Sequence, residues 1–236
     1  MDSRGFSIIT PINKPNCIEN TIKNYINQEI DKKELIVVIN NSDINIDDFN
    51  NYIDKYKNIS IYKIDKPIKL GDALNYGINK SKYDFIARFD SDDYYGKFYL
   101  KEVDYTFKNH ECDVVGKSKL YYYFEEFNKL ICTGGIINNY SSKAAGATMC
   151  FDKKVFENIK FKSVSAGEDV LFFKDCIENK YKIFNTSQYN FLVFRSRDPN
   201  NHTWKMNTKQ YIERCTEIKN NVKFEDCFDI VDKDEV

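Results

Sequence analysis

The sequence predicts an α/β fold in which helices flank a central, mainly parallel β-sheet. Short runs rich in isoleucine, valine and phenylalanine end in polar or turn residues, which is typical of buried strands, and they fall at residues 6–11, 34–39, 59–64 and 84–90. Between these runs, apolar residues recur at helical spacing. Strands and helices that alternate in this way form parallel sheets, whose ligands bind at the carboxyl ends of the strands.

The helices of the first half alternate with these strands. Ile18, Ile22 and Tyr25 share one face of a first helix, residues 49–56 carry a second apolar face, and residues 70–79 form a third, shorter helix. The order β-α-β-α-β-α-β places the loops at 11–14 and 40–43 on the same rim as the residues that follow the fourth strand.

The second half has a looser pattern. We expect a helix over residues 100–107, a strand at 112–116, and antiparallel strands at 119–131 whose tyrosines line a groove. Small residues lead into a short strand at 144–151. Helices are expected at 153–158, after 165–170 and near 208–219, followed by an acidic tail.

Composition and charge narrow the range of partners. The 236 residues suffice for a single folded body with a substantial core, and an aromatic content of 15% argues against disorder. Lysine plus arginine number 35 against 36 aspartates and glutamates, so no overall field attracts nucleic acid or a membrane surface. A charged ligand must therefore be bound locally.

The cysteines and the hydropathy indicate a soluble cytoplasmic protein. Seven scattered cysteines, an odd number without C-x-x-C spacing, disfavour a zinc cluster or a disulfide framework and fit reduced thiols. No apolar leader segment is evident, and no run approaches the ~20 apolar residues of a membrane span. Peripheral contact with a membrane-bound acceptor stays compatible with this expectation.

Three carboxylates crowd into the four positions after the fourth predicted strand. Asp90, Asp92 and Asp93 repel one another unless water, a cation or a cationic partner neutralises them. Oxygen ligands of this kind suit Mg²⁺ or Mn²⁺. An EF-hand is excluded because Tyr95 and Lys101 stand where its glycine and glutamate belong. The alternative is a solvated acidic turn.

A second acidic pair, Glu168 and Asp169, lies far along the sequence. Ser165 and Glu168 have the spacing of a capping box, which would give Glu168 a purely structural role at a helix start. Asp169 needs another role, and a helix N-terminus favours its ionised form.

Ordered motifs in this chain resemble those of family-2 glycosyltransferases of the GT-A (Rossmann-like) fold, especially bacterial enzymes that build capsule, exopolysaccharide or other cell-surface glycans. The motifs are SIITP, ELIVVINNSD, LGDALNYGI, YDFIARFDSDD, CDVVG, AAGATMCFDKKVFE and SAGEDVLFF. The resemblance covers about residues 5–200. It implies one GT-A domain over 1–236, with a nucleotide-sugar-binding half at about 1–116, a smaller antiparallel acceptor and catalytic half at about 117–204, and a C-terminal helix and tail at 205–236.

The resemblance also implies a reaction and a cofactor. The family's donors are nucleotide-diphosphate sugars, usually UDP-linked, and a divalent metal, Mn²⁺ or Mg²⁺, stabilises the leaving diphosphate at a DXD-type motif. By resemblance, Asp92 lies near the ribose and the metal, Asp93 is the more direct metal ligand, and Asp90 supports the turn or joins the donor site. Asp169 is then the general base of an inverting hexosyl- or N-acetylhexosaminyltransferase, with a saccharide, lipid-linked or protein acceptor.

Other candidate residues depart from the family pattern. Asn40 and Asn41 replace the usual acidic pair after the second strand, and Asn41 can accept from a uracil ring. Pro11 and Asn13 occupy the first-loop positions near the nucleotide base. Asp72 is either a donor contact or an ordinary helix-start residue.

Several late residues complete the candidate set. The resemblance makes His202 a metal-ligand candidate, though a loop histidine is more often unliganded. Arg195 and Arg197 are candidates for the diphosphate, and Trp204 either packs or stacks on a sugar. Glu168 and Trp204 are the acceptor-side candidates.

Two other functions compete with transfer. The Asn40-Asn41 replacement is also compatible with a catalytically degenerate GT-A domain that binds a glycan or a partner protein. A sugar-nucleotide pyrophosphorylase is disfavoured, because TPINKP stands where the glycine-rich, arginine-containing signature of that class belongs.

Overall fold

Two β-sheets form the framework of the computed structural model, which describes residues 4–64, 68–198, 200, 202, 205 and 207–234. The strands are β1 Phe6–Ile12, β2 Lys33–Ile39, β3 Ile59–Lys63, β4 Phe85–Arg88, β5 Tyr94–Tyr95, β6 Val114–Gly116, β7 Tyr121–Phe124, β8 Lys129–Cys132, β9 Asn139–Ser141, β10 Cys150–Asp152, β11 Ile183–Asn185, β12 Phe191–Arg195 and β13 Thr216–Lys219. The helices are α1 Ile18–Asn27, α2 Asn50–Lys55, α3 Leu70–Lys80, α4 Tyr99–Asn109, α5 Lys153–Asn158, α6 Glu168–Glu178, α7 Thr208–Glu213 and α8 Phe228–Val231.

The larger sheet confirms the predicted α/β architecture. Within the described residues it has the strand order β3-β2-β1-β4-β10-β6-β11-β9. Strands β3, β2, β1 and β4 are parallel, whereas β10 runs antiparallel between β4 and β6. The parallel register brings the carboxyl ends of β1, β2 and β4 to one rim, as the sequence predicts.

Helices cover both faces of this sheet. Along β2, Leu35 and Val37 pack into one buried cluster, and Ile36 and Val38 pack into the other. Because successive side chains of a strand point to opposite faces, a strand that is apolar at every position is buried on both sides. The continuous apolar stretch LIVVI, at residues 35–39, thus fixes β2 as an interior strand.

The smaller sheet has the order β13-β8-β7-β12-β5 and is mostly antiparallel. Strands β7 and β8 form the expected antiparallel pair. The prediction that its tyrosines line a groove holds only in part: Tyr121, Tyr122 and Tyr123 are at most 8% exposed, but Tyr123 contributes to the wall of a cavity beside Asp92. Their rings pack against Tyr189, Tyr211 and Phe194, which joins strand β7 to β12, to the segment before β12 and to helix α7.

The end of the chain differs from the sequence prediction of a helix near 208–219. Helix α7 ends at Glu213, and β13 then pairs antiparallel with β8. The unpaired edge of β8 offers backbone hydrogen bonds that outweigh the helical preference of this short segment. In the part of the chain that is described, no helix has the length and apolar character needed to cross a membrane.

Candidate active site

The acidic turn, residues 90–93, follows β4 and is clamped by helix α1. Asn20 donates its amide to the carbonyl oxygens of Ser91 (2.9 Å) and Asp93 (2.8 Å). Asn24 donates to the same Asp93 carbonyl at 2.8 Å and accepts from the Tyr95 backbone N–H at 3.0 Å. These hydrogen bonds fix the turn without using its carboxylates, which stay available for other partners.

Each carboxylate of the acidic turn meets a different part of the chain. Asp90 accepts from the Arg88 guanidinium at 2.7 and 3.2 Å. Asp92 Oδ2 lies 3.1 Å from the ammonium of Lys14, in the loop after β1, and its side chain is 34% exposed. Asp93 is buried and accepts the Phe194 backbone N–H at 3.0 Å. Of the three, Asp92 presents the most exposed carboxylate, and Asp93 ties the turn to β12.

Burial dominates the electrostatics of Asp93. Burial raises the pKa of the Asp93 carboxyl well above its ordinary value, and the negative charges of Asp92 and Asp90 raise it further. The Phe194 N–H and the charge of Arg195 oppose this shift in pKa but do not cancel it. Positive charge brought to this turn would therefore favour the ionised form of Asp93.

Arg88 joins the two acidic segments that the sequence singled out. This side chain is 7% exposed, and its Nη1 donates to Glu168 Oε1 at 2.7 Å while the rest of the guanidinium binds Asp90. Burial alone would lower the pKa of Arg88, but the charges of Asp90 and Glu168 outweigh burial and raise it. The sequence reasoning missed Arg88, although a lone charged residue within the apolar run FIARF was the available signal.

Helix α6 begins with Glu168, and the expected capping box is wrong. Gly167 precedes the helix in the left-handed region, with φ +79°, and no side chain among the described residues caps the helix start. Glu168 is 3% exposed and binds Arg88 instead. The buried cation at the end of β4 is the stronger partner, since a charge-assisted hydrogen bond exceeds an ordinary cap in strength.

Asp169 lies against the segment that leads into β10. A Cβ added to Gly146 would come within 2.5 Å of Asp169 Oδ2 and 2.8 Å of its Cγ. Asp169 Oδ1 accepts the Val170 backbone N–H at 2.8 Å, and the charge of Asp169 acts on the buried Arg88. Asp169 is therefore on the same side of the molecule as the acidic turn, and Gly146 is a contact that sequence reasoning missed.

The asparagines after β2 connect loops of the rim. Asn40 donates to the Ile68 carbonyl at 2.6 Å and accepts its N–H at 3.2 Å. Asn41 donates to the Asn13 carbonyl at 2.8 Å and accepts from the Asp43 N–H at 2.8 Å. The Asn41 amide thus links the loops after β1 and β2, which is a structural use of the residue proposed to meet the base.

The other donor candidates lie at different depths along this rim. Pro11 belongs to β1 and is half-buried, whereas Asn13 is exposed in the loop that follows. Asp72, in the first turn of α3, accepts from the Ser163 hydroxyl at 2.6 Å. The Ser163 contact ties α3 to the segment before α6.

Two late residues approach the acidic turn. Burial lowers the pKa of His202, the charge of Arg195 lowers it further, and the charge of Asp92 acts in the opposite direction. Burial also lowers the pKa of Arg195, which the charges of Asp93 and Asp92 oppose. His202 and Arg195 therefore share a neighbourhood with the turn. Arg197 donates its backbone N–H to Glu125 at 2.8 Å, and Trp204 lies outside the described residues.

The side chains near the acidic turn include the ligand types that divalent cations prefer. His202 Nε2 is buried and has no hydrogen-bond partner among the described residues, which is unusual for a buried ring nitrogen. Imidazole nitrogen and carboxylate oxygen both suit Mn²⁺, and carboxylate oxygen suits Mg²⁺. Within the ranges that the structure describes, however, no three acidic, histidine or cysteine side chains are close enough to form a metal cluster.

A cavity of about 510 Å³ opens beside Asp92, between the start of α1 and the smaller sheet. Asn16, Asn20, Phe194 and Arg197 contribute to its walls. This volume is in the range of small-molecule sites. A second cavity of about 590 Å³, lined by Arg4, Asp84 and Lys153 among others, lies at the other end of β4 and contains none of the candidate residues.

Taken together, a mainly parallel sheet with an acidic turn at the carboxyl end of β4 and a smaller, mostly antiparallel sheet match the GT-A fold. The family profile of glycosyl transferase family 2 matches residues 7–151, more than half of the chain. The chain belongs to this family and is a glycosyltransferase.

Similar proteins agree with this assignment. An uncharacterized glycosyltransferase of Haemophilus influenzae is 28% identical over 205 residues, which is 79% of this chain and 78% of that protein. The crystal structure of S. aureus TarS 1-349 with UDP-GlcNAc matches with a TM-score of 0.64 at 18% identity, over 89% of this chain and 64% of TarS 1-349.

A second solved structure has the same fold. The mannosyltransferase PcManGT from Pyrobaculum calidifontis, in complex with GDP-Man and Mn²⁺, matches with a TM-score of 0.64 at 12% identity, over 84% of this chain and 58% of that chain. The present chain thus spans less than two thirds of both solved proteins.

Proposed function

We propose that this glycosyltransferase moves a sugar from a UDP-sugar donor to a saccharide, lipid-linked or protein acceptor, with inversion, in the synthesis of a surface glycan. The observation that supports the proposal most is the Arg88 bridge, which ties the acidic turn to the start of α6 through contacts of 2.7 Å on each side. The donor phosphates and the acceptor hydroxyl would then bind within one site.

Asp169 is the proposed general base. It lies in the first turn of α6, and its charge acts on the buried Arg88 that binds Asp90 and Glu168. The Asp169 carboxylate would take the proton from the acceptor hydroxyl as that oxygen attacks the anomeric carbon, opposite the leaving diphosphate. Attack from that side inverts the sugar configuration.

The donor would lie along the rim formed by the loops after β1, β2 and β4. Pro11, Asn13 and Asn41 are the proposed contacts to the nucleoside, with Asp72 and Asp90 nearby. TarS in complex with UDP-GlcNAc supports a UDP donor and a hexosyl- or N-acetylhexosaminyl group, whereas PcManGT binds GDP-Man, so the base must be tested.

Asp92, Asp93 and His202 are the residues proposed to hold Mn²⁺ or Mg²⁺. When bound, such a cation supplies Lewis-acid stabilisation of the charge that develops on the diphosphate. The orphaned His202 Nε2 supports this assignment. Glu168 acts on the acceptor side through Arg88, and Trp204 is proposed as a further acceptor contact.

Isothermal titration of UDP and GDP, each with and without Mn²⁺, tests donor and cation together. We expect UDP to bind in a Mn²⁺-dependent manner and more tightly than GDP. A donor screen that detects released nucleoside diphosphate then identifies the sugar. Absence of metal-dependent binding for every nucleoside diphosphate would contradict the proposal.

The Asp169→Asn variant separates catalysis from binding. We expect it to bind UDP like the wild type and to lose about 10²–10⁴-fold in transfer rate, the usual contribution of general-base catalysis. If the wild type binds donor without turnover, and Asp169→Asn changes nothing, the chain is a degenerate glycan- or protein-binding module.

A further inference from the structure

We propose that Lys14 is an exchangeable counter-ion of Asp92 that competes with a divalent cation for the acidic turn and weakens its binding. The inference rests on the proposed cation site. It adds a residue of the β1 loop that sets how tightly the cation is held.

The geometry places the lysine on the carboxylate that a cation would use. Lys14 Nζ lies 3.1 Å from Asp92 Oδ2, across 78 residues of sequence. Burial lowers the pKa of His202 and raises the pKa of Cys17, and at both groups the positive charge of Lys14 acts to lower the pKa. The ammonium therefore lies among the groups that would surround the cation rather than at the edge of the site.

An ammonium and a divalent cation cannot share this position without cost. Both need the Asp92 oxygens, and two positive charges a few ångströms apart repel each other. The cation must either displace Lys14 or bind against its charge. In both cases Lys14 weakens cation binding.

The exposure of the pair makes exchange feasible. The Lys14 and Asp92 side chains are 28% and 34% exposed, so water can replace each partner, and pairs of this kind contribute little to stability. The Arg88 pair with Glu168 differs, since both side chains are at most 7% exposed and cannot separate without burying an unpaired charge. The site thus combines a fixed pair with an exchangeable one.

The exchange also involves the donor loop. Lys14 follows Asn13, whose carbonyl is held by the Asn41 amide at 2.8 Å. Release of Lys14 from Asp92 would therefore occur beside the proposed nucleoside contacts, while the backbone of the loop remains fixed.

Titration of free Mn²⁺, followed by electron paramagnetic resonance in low-salt buffer without nucleotide, tests the proposal. We expect Lys14→Met to bind Mn²⁺ about 3–10-fold tighter than the wild type. The variant lacks the repulsion between Lys14 and Mn²⁺, and a partly exposed ion pair such as Lys14–Asp92 contributes only a small free energy. Lys14→Arg keeps the charge and should match the wild type. Lys23→Met removes an equal charge from an exposed pair with Glu19 on α1 and should also leave the affinity unchanged.

Thermal unfolding with and without Mn²⁺ supplies a second readout that is independent of activity. The increase in Tm on adding Mn²⁺ should be larger for Lys14→Met than for the wild type. If Lys14 only stabilises the loop, Lys14→Met would lower Tm and bind Mn²⁺ equally or less tightly, and the proposal would be wrong.

The Asp92→Asn variant distinguishes failure of this proposal from failure of the cation site. If Mn²⁺ binds the wild type and loses affinity in Asp92→Asn, the cation site stands, and an unchanged affinity in Lys14→Met overturns the role of Lys14 alone. If the wild type does not bind Mn²⁺, or Asp92→Asn binds it equally well, both the cation site and the counter-ion role are overturned.

Discussion

Arg88 Nη1 lies 2.7 Å from Glu168 Oε1, and this contact joins the end of β4 to the start of α6, 80 residues further along the chain. Both side chains are at most 7% exposed. A buried charge pair of this kind adds little to stability relative to a well-packed apolar pair, but loss of one partner leaves an uncompensated charge. The pair therefore specifies how the two acidic segments are placed.

Replacement of Arg88 by Met should destabilise the fold by about 3–5 kcal/mol, since Glu168 and Asp90 would both lose their cationic partner. Urea unfolding of the variant and the wild type measures the change in the free energy of unfolding. Adding Glu168→Met to Arg88→Met should recover part of this loss, with a coupling energy above about 1 kcal/mol in a double-mutant cycle. Additive effects of the two substitutions would show that the pair does not act as a unit.

Replacement of Gly146 by Ala should impair turnover more than donor binding. The new Cβ would lie 2.5–2.8 Å from atoms of Asp169, so the carboxylate must shift. A displacement of about 1 Å at a catalytic group costs about 10²-fold in rate. Steady-state kinetics should show this loss in kcat, and titration should show a UDP Kd within about twofold of the wild type.

The matched control for this variant is Gly134→Ala, because, apart from the two chain neighbours, no heavy atom of the described residues lies within 4 Å of a Cβ at that position. It should retain wild-type kcat. Equal effects of the two alanine variants would argue against Asp169 as the displaced group.

Much of the framework could be predicted from sequence, because the apolar pattern within a single strand indicates how that strand is buried. Residues 35–39, LIVVI, are apolar at every position and were therefore expected to be buried on both faces. By contrast, the short segment 216–219 became strand β13 because the edge of β8 was available, and only the tertiary structure reveals this edge.

The candidate site was harder to predict, because its contacts join distant parts of the chain. The acidic residues of the turn stand out in sequence, but the asparagines that clamp it are separated from it by about 70 positions. The spacing of Ser165 and Glu168 in the sequence matches a capping box. In the structure, however, Glu168 accepts a hydrogen bond from the buried Arg88 instead. Local patterns identify charged groups, whereas their partners depend on packing.

Replacement of Asn24 by Ala should loosen the acidic turn. The variant leaves the Asp93 carbonyl with one fewer donor and the Tyr95 N–H without its acceptor, both in a buried setting. We expect a loss of about 1–3 kcal/mol in the free energy of unfolding and weaker binding of Mn²⁺ with UDP.

Asn109→Ala is the control for Asn24, because Asn109 is exposed and its amide donates within its own helix, to the Tyr105 carbonyl. Its effect on stability should stay within about 0.5 kcal/mol. If Asn24→Ala binds Mn²⁺ and UDP like the wild type, the clamp does not organise the site.

The Asp232 carboxyl should make stability depend on pH. Burial raises its pKa, and the hydrogen bond from Tyr94, at 2.8 Å, partly opposes that shift. The folded state therefore favours the protonated form, so this stabilisation is fully present below the ordinary aspartate pKa and is lost as pH rises through the raised value.

Asp232→Asn cannot ionise. Urea unfolding from pH 4 to pH 7 should show the variant gaining stability relative to the wild type as pH rises. Tyr94→Phe removes the opposing hydrogen bond, so the same comparison made in a Tyr94→Phe background should give a larger gain. A difference that shrinks with rising pH would contradict a raised pKa for Asp232.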